Sequence, residues 1–216
     1  MDENERLFQH AINDYELNNI PIEKLKNKEK IGKGAFGYVY RCNIDGDSRM
    51  VAVKEIYVGD EDSETSIKSF LNELKLHSKA KSHRIIELFG MGYDKNGDLC
   101  YLVMELAECH LRKYLNDKKD ELQWDKKIEL AIQLTEGLSY IHNVMNVAHR
   151  DLNVREAPTI GTPLSFIQLY SKCWDSWPLL RPIADQILNE LKYLSLDPMH
   201  NNYNSVNGIM SNTTGE

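Results

Sequence analysis

Apolar residues near the N-terminus repeat at helical spacing, and the repeat then shortens to that of β-strands. Positions 7, 8, 11 and 12 are apolar and would share one side of a helix, and Pro21 interrupts the segment. Residues 1–24 are therefore expected to form a helical or irregular lead-in to the domain that follows.

Five elements are predicted in the rest of the first half. Runs 38–44 and 50–54 are rich in β-forming residues and enclose the turn sequence Asp-Gly-Asp, which indicates a β-hairpin. Residues 64–80 carry apolar side chains at helical spacing. Two further β-runs, 85–89 and 99–104, are separated by a turn-rich stretch. The pattern predicts an antiparallel sheet with one helix.

The second half of the chain is predicted to be mainly helical. One apolar stripe runs through 124–145 and another through 183–194. The stretch 197–216 is rich in Asn, Ser, Thr and Gly, which predicts a disordered tail. The first stripe consists of Ile128, Ala131, Ile132, Thr135 and Leu138, and the second of Ile183, Ile187, Leu188, Leu191 and Leu194.

Composition limits the possible partners and location. The chain has 216 residues and a net charge of -7, so its bulk charge disfavours nucleic acids and anionic membranes. No apolar run approaches the roughly 18 residues that a membrane-spanning helix needs, and no signal-peptide pattern is expected, so a cytoplasmic location is predicted. The cysteines have no metal-ligand spacing, so no metal site is expected and reduced thiols at apolar positions are predicted. They are Cys42, Cys100, Cys109 and Cys173.

The first sign of chemistry is a G-x-G-x-x-G pattern. Rossmann dinucleotide-binding folds share it, but they need a helix after the third glycine, and here a β-run follows. The chain also lacks the G-K-[ST] of a P-loop. Two readings remain: a plain hairpin turn with three glycines, or a loop whose open backbone folds over phosphates. The residues concerned are Ile31, Gly32, Gly34, Gly37 and Val39.

The run Val51-Ala52-Val53-Lys54 favours the phosphate-binding loop. Strand alternation places Ala52 and Lys54 on one face, where the small alanine leaves room for a flat base and the lysine can reach a phosphate. A glycine-rich loop followed by this strand resembles the eukaryotic protein kinases. The resemblance implies an α+β, bilobal fold with an N-terminal antiparallel sheet plus one helix and a mainly helical C-terminal lobe.

Further motifs extend the resemblance and imply roles for single residues. Glu73, in the predicted helix, would be the partner of Lys54. The run 102–107 is similar to the last strand and hinge of a kinase. There Met104 would be the gatekeeper, and backbone groups of Glu105 and Ala107 would bind the adenine edge.

The sequence His149-Arg150-Asp151-Leu152 resembles the kinase catalytic loop, because it follows a helix similar to the one that leads into that loop. The resemblance implies that Asp151 orients the substrate hydroxyl and accepts its proton. After Asn153 the similarity breaks. Glu156 occupies the asparagine position, and neither D-F-G nor A-P-E follows.

Residues 161–182 nevertheless resemble the last helices of tyrosine-kinase-like domains. By motif order, roughly 80 residues are absent after Asn153, which predicts an internal deletion. The expected organisation is a lead-in over 1–24, a kinase domain over 25–196 and a disordered tail over 197–216. Within the domain we expect an N-lobe over 25–105, a hinge at about 105–108 and a truncated C-lobe over 109–196.

The resemblance implies ATP as cofactor and phosphoryl transfer to Ser, Thr or Tyr hydroxyls of a protein substrate or signalling partner. Mg²⁺ is expected for the family, but its usual ligands, the D-F-G aspartate and the loop asparagine, are absent here. Impaired or absent catalysis is therefore predicted, and a non-catalytic pseudokinase or scaffold is the alternative.

The deletion also has a structural consequence, because it removes the usual cover of the apolar face of 128–138. Either the last helices bury that face or an apolar patch stays exposed. Arg181 resembles the arginine that pairs with the A-P-E glutamate in the family. Because that glutamate is absent, Arg181 would need another carboxylate if it stayed buried.

Overall fold

The computed structural model describes residues 3–34, 37–58, 63–95, 98–119, 121–148 and 161–196, so the predicted tail lies outside the described residues. The chain divides into two compact units, Met1–His110 and Leu111–Glu216. None of the described helices is long and apolar enough to cross a membrane. The elements are α1 (Glu3–Asp14), β1 (Leu25–Lys33), β2 (Tyr38–Ile44), β3 (Met50–Tyr57), α2 (Ser63–Lys79), β4 (Leu88–Tyr93), β5 (Leu99–Glu105), α3 (Leu111–Asp117), α4 (Trp124–Asn143), α5 (Leu164–Cys173) and α6 (Ala184–Leu196), with short 3-10 helices at Ile22–Lys24 and Pro178–Leu180.

The first unit is built on an antiparallel sheet of five strands in the order β1-β2-β3-β5-β4. The predicted hairpin is confirmed as β2 and β3. Its turn contains Gly46 at a φ of 82°, a left-handed conformation that glycine adopts without steric cost. The Asp47 N–H closes the turn by donating to the Ile44 carbonyl over 3.0 Å. The predicted helix over 64–80 is confirmed as α2, and the strand over 99–104 as β5.

The strand predicted over 85–89 is present as β4, but its predicted start is wrong, because the strand begins only at Leu88. Residues before it form a turn in which the Ile85 N–H donates to the Ser82 carbonyl over 3.0 Å. The Ile86 carbonyl lies 2.6 Å from Nε2 of His77 and is therefore directed away from the sheet ladder. A run of apolar residues marks burial, but backbone pairing decides where a strand starts.

The lead-in packs against the first unit and joins its sheet edge. Met91 in β4 donates its N–H to the Asn18 carbonyl over 3.1 Å, and its own carbonyl accepts from the Ile20 N–H over 2.9 Å. Two glycines permit this approach. A Cβ on Gly90 would lie 2.3 Å from the Asn18 carbonyl oxygen, and one on Gly92 would lie 2.4 Å from that of Ile20. Only glycine fits where two backbones come this close.

Three cysteines fit the prediction of thiols at apolar positions, and one does not. Cys42 and Cys100 are fully buried in the sheet core, and Cys173 packs against the core of the second unit. Burial raises the pKa of the Cys100 thiol, so it stays protonated and unreactive at neutral pH. Cys109 is exposed, because it follows the end of β5. The prediction is therefore wrong for Cys109.

In the second unit, α5 and α6 pack on the apolar face of α4 and cover part of it: Ile128 and Thr135 are buried, and Ala131, Ile132 and Leu138 are half-buried. The buried core of this unit consists of Ile128, Leu169, Leu191 and Leu194. Ile183 does not belong to this stripe as predicted, because it precedes α6 and is 62% exposed. Arg181 is exposed and donates through Nε to the Asp175 carbonyl over 2.9 Å, so no second carboxylate is required.

A polar contact sets the register between α4 and α6. The carboxylate of Asp185 accepts from the Ser139 hydroxyl and from Nδ2 of Asn143, whose distances to the two carboxylate oxygens are 3.0 and 2.9 Å. We expect Asp185→Ala to destabilise the second unit by about 1–2 kcal/mol, because Ser139 and Asn143 lose the carboxylate that joins α4 to α6. Urea unfolding followed by tryptophan fluorescence would measure this, since all three tryptophans lie in the second unit.

The matched control is Asn189→Ala on an exposed position of the same helix. It makes a similar reduction in side-chain size, and we expect it to shift the unfolding midpoint by much less. Equal midpoints for the Asp185 and Asn189 variants would show that the polar contact does not stabilise the helix pair.

Candidate functional site

The centre of the candidate site is an ion pair between β3 and α2. Nζ of Lys54 lies 2.7 Å from Oε1 and 2.8 Å from Oε2 of Glu73, so the amine bridges both carboxylate oxygens. The two side chains are 23% and 38% exposed, which leaves the ammonium group accessible to a further anion. The lysine is fixed because its strand is central in the sheet, between β2 and β5.

Strand register places other predicted residues on the same face as Lys54. Val39 in β2 lies directly opposite Lys54, and Met104 in β5 lies directly opposite Ala52. Opposed residues of antiparallel strands project to the same side of the sheet, and so do residues two apart in one strand. Two aliphatic side chains, one methionine and the lysine therefore share a face beside the glycine-containing segment.

The glycine segment links β1 to β2, and Ala35 and Phe36 at its tip lie outside the described residues. Ile31, at the strand side of the segment, is 49% exposed. A Cβ added to Gly32 or to Gly34 would meet its nearest heavy atom only at 3.8 Å, so the backbone there is open to an approaching group. Gly34 donates its N–H to the Gly37 carbonyl over 2.8 Å, which closes the segment.

Gly37 has a different role from the other two glycines. A Cβ at this position would lie 1.8 Å from the carbonyl oxygen of Glu55. The glycine thus brings the segment directly against the backbone of β3, one residue beyond Lys54. This close approach explains why no larger residue fits here.

The predicted hinge residues follow the end of β5. Glu105 donates its backbone N–H to the Glu87 carbonyl over 2.9 Å, and its side-chain Oε2 accepts from the Glu87 N–H over 3.2 Å. The backbone N–H of Glu105 is therefore already hydrogen-bonded within the protein. The backbone of Glu105 can contact a base only through its carbonyl oxygen, which would accept a hydrogen bond. Ala107 is exposed beyond the strand.

A buried carboxylate in this region was missed by sequence reasoning. Glu55, next to Lys54 in β3, is 2% exposed and forms an ion pair with Lys28 of β1. The Lys28 ammonium also lies 4.0 Å from the ring centre of Tyr40. Burial raises the pKa of the nearby Cys42 thiol. The positive charge of Lys28 reduces this rise, and the negative charge of Glu55 adds to it. The sequence signal that could have indicated this site is an acidic residue at the end of an apolar β-run. Strand alternation places Glu55 on the face of the sheet opposite to that of Lys54.

The remaining predicted positions cannot be placed. Asp151 and Glu156 lie outside the described residues, as do His149 and Arg150. Among the residues that the structure does describe, no group of three or more His, Cys, Asp or Glu side chains could hold a metal ion.

A polar cavity of about 760 Å³ also lies in the first unit, lined by residues of the lead-in, the end of α2 and β4. Glu105 is the one predicted site residue among its described lining residues.

The geometry of the site agrees with the protein family that the sequence matches. The protein kinase domain family matches residues 25–155, which is more than half of the chain. The chain belongs to the protein kinase family. The α+β, kinase-like fold expected from the sequence is therefore confirmed, with a five-stranded antiparallel sheet in the first unit and helices in the second.

Individual relatives are kinases of different kinds. The chain is 35% identical to the receptor-like protein kinase ANXUR1 of Arabidopsis thaliana over 125 residues, which are 56% of this chain and 14% of the relative. It is 33% identical over 133 residues to cyclin-dependent kinase 1 of Encephalitozoon cuniculi, covering 60% of this chain and 44% of the relative. It is 28% identical to LIM domain kinase 1 of Drosophila melanogaster over 125 residues, which are 58% of this chain and 10% of the relative. The chain thus spans less than half of each of these relatives.

Proposed function

We propose that the first unit binds ATP on the sheet face that carries Lys54. The observation that carries the proposal is the Lys54–Glu73 ion pair, in which two carboxylate contacts hold an accessible ammonium group extended from β3. A triphosphate needs a fixed cation and a backbone that it can approach closely, and the open backbone at Gly32 and Gly34 lies beside the strand that pairs with β3. These described residues fit the phosphate end of the nucleotide.

The base would lie toward the other end of the same face. Ala52 has no side chain beyond Cβ, and Met104 lies directly opposite it across the β3–β5 pair. An aromatic base is apolar on its faces and polar at its edge, so it suits an aliphatic surface that ends at backbone groups. We assign the edge contacts to the Glu105 carbonyl and to the backbone of Ala107, with Ile31 and Val39 covering the base.

We further propose that phosphoryl transfer to protein hydroxyls is very weak or absent. In this family Mg²⁺ bridges the phosphates and neutralises charge that develops during transfer. The sequence has no D-F-G aspartate, and glutamate replaces asparagine at position 156. Asp151 could still orient a hydroxyl, but orientation alone leaves the developing charge uncompensated.

The same sequence features support an internal deletion in a tyrosine-kinase-like domain as the origin of this pattern. The family match ends at residue 155, close to the break after Asn153. Residues 161–182 carry motifs that resemble the end of such a domain. Arg181 is exposed in the structure, which agrees with the loss of the carboxylate that would otherwise pair with it. Sequencing genomic DNA around the codons for Asn153 and Val154 tests this origin.

Calorimetric titration with ATP, with and without Mg²⁺, tests nucleotide binding, and transfer of radiolabelled phosphate to a generic protein substrate tests catalysis. We expect saturable ATP binding and no transfer above that of an Asp151→Ala variant. Absence of ATP binding would refute the nucleotide site. Robust transfer that Asp151→Ala abolishes would refute the second proposal and show a working kinase. Binding without transfer, together with a stable complex with a partner protein, would favour the pseudokinase or scaffold alternative.

A further inference from the structure

Helix α1 precedes the segment that the family matches, yet its apolar side lies in the core of the first unit. Phe8 is fully buried, and Ala11 and Ile12 are 5% and 6% exposed. The ring of Phe8 meets the ring of Phe70 in α2 edge-on, with 5.9 Å between their centroids, and lies 5.6 Å from the ring of Tyr93 in β4. Helix α1 therefore contacts both α2 and the sheet.

The chain that follows α1 is tied to the sheet at several points. Asn18 and Ile20 exchange backbone hydrogen bonds with Met91, and Nδ2 of Asn18 donates to the Phe89 carbonyl over 2.8 Å. The buried Tyr101 donates its hydroxyl to the Ile20 carbonyl over 2.8 Å. These contacts fix the segment that follows α1 to β4 and β5, and so hold the C-terminal end of the helix near the sheet.

Phe70 and Glu73 stand three residues apart on α2, so they lie on neighbouring parts of the same helix surface. Phe70 is 1% exposed and packs toward α1, whereas Glu73 reaches the Lys54 amine. A displacement of α2 at Phe70 would move Glu73 by a similar amount, because a helix moves as a rigid element over one turn. The hydrogen bonds from Lys54 tolerate only a few tenths of an ångström before they weaken.

We propose that α1 is a positioning element for the nucleotide site, in which Phe8 holds α2 where Glu73 meets Lys54. The expected effect on ATP binding rests on the proposed function. The expected effect on the Lys54–Glu73 ion pair does not. Phe8 is thus a positioning residue. Its removal should separate Glu73 from Lys54 while leaving the rest of the sheet in place.

Competitive acylation of lysines, read by mass spectrometry, tests the ion pair without nucleotide. An amine held by two carboxylate oxygens is a poor nucleophile, so its release raises its reactivity. Relative to Lys192 in the second unit, we expect Phe8→Ala to raise Lys54 reactivity about threefold or more, as a perturbation of ~0.7 kcal/mol predicts. Phe8→Leu should restore most of the protection, and Leu7→Ala, at a position 41% exposed on the same helix, should change nothing.

Lys28 provides the internal control, because it is paired with the buried Glu55 on the other side of β3. General loosening of the unit would expose Lys28 and Lys54 together. An equal rise at both lysines, or no rise at Lys54, would overturn the proposal. In a Glu73→Gln background, Phe8→Ala should add no further reactivity at Lys54, and an undiminished increase there would also count against it. If Phe8→Ala does not fold, the same comparison is made with Phe8→Leu and Phe8→Val.

ATP titration of the same variants links the positioning to the proposed function. We expect Phe8→Ala to weaken ATP binding about threefold or more, and to have no added effect when Glu73→Gln is present. If the unmodified protein binds no ATP, the proposed function fails, and the acylation result still decides whether α1 positions α2. If ATP binds but Phe8→Ala changes neither affinity nor Lys54 reactivity, the positioning proposal fails alone.

Discussion

Replacement of Gly37 by alanine is expected to destabilise the first unit by about 2–3 kcal/mol, because the new Cβ would overlap the backbone of the central strand β3. It would lie 1.8 Å from the Glu55 carbonyl oxygen and 2.8 Å from the carbonyl carbon. These are backbone atoms of a strand paired on both sides, so they cannot give way as a flexible side chain could. Amide hydrogen exchange across β2 and β3 in increasing urea would measure the loss.

Gly34→Ala is the matched control for this substitution. Its Cβ would meet the nearest heavy atom, the Gly37 carbonyl oxygen, at 3.8 Å, which is an ordinary contact. Neither glycine has a left-handed φ, so backbone strain contributes to neither substitution. We expect Gly34→Ala to change stability by less than about 1 kcal/mol. Similar losses for the two variants would mean that Gly37 does not approach β3 as described.

Replacement of Lys54 by methionine is expected to weaken ATP binding by about tenfold to a hundredfold with little loss of stability. Hydrogen bonds to a charged group contribute about 1.5–3 kcal/mol, and here they would be made to the phosphates. Stability should change little because the partner, Glu73, remains partly exposed and water can solvate it. Calorimetric titration and thermal unfolding of the same samples separate the two effects.

Lys26→Met removes the same charge from an exposed position of β1 in the same unit and serves as the control. It should lower ATP affinity by less than about twofold, because an exposed charge away from the site is screened by salt. Equal losses for Lys26→Met and Lys54→Met would indicate binding through net charge alone. Unchanged affinity for Lys54→Met would remove the lysine from the proposed site.

Much of the first unit could be predicted from short-range patterns. The β2–β3 hairpin follows from two β-forming runs around a glycine turn, and α2 follows from its apolar period. The shared face of Ala52 and Lys54 follows from strand alternation alone. The family resemblance supplied Glu73 as the partner of Lys54, since sequence spacing does not reveal which helix residue meets a strand lysine.

Contacts between distant segments could not be predicted in this way. The strand predicted at 85–89 was started too early, because hydrogen bonds to Ser82 and His77 hold the backbone of Ile85 and Ile86 away from the sheet. Glu55 gave no sign of burial beyond its place in an apolar run, because its counterion Lys28 comes from another strand. The exposure of Cys109 depends on where β5 ends.

The sequence by itself determined the family, the hairpin and the order of the residues proposed to hold ATP, because these depend on residue type and local spacing. Only the tertiary structure decided that the lead-in belongs to the core of the first unit, with Phe8 against Phe70. It alone decided that α5 and α6 cover part of the apolar face of α4. In both cases an amphipathic helix has one apolar side, but its sequence does not say which surface buries that side.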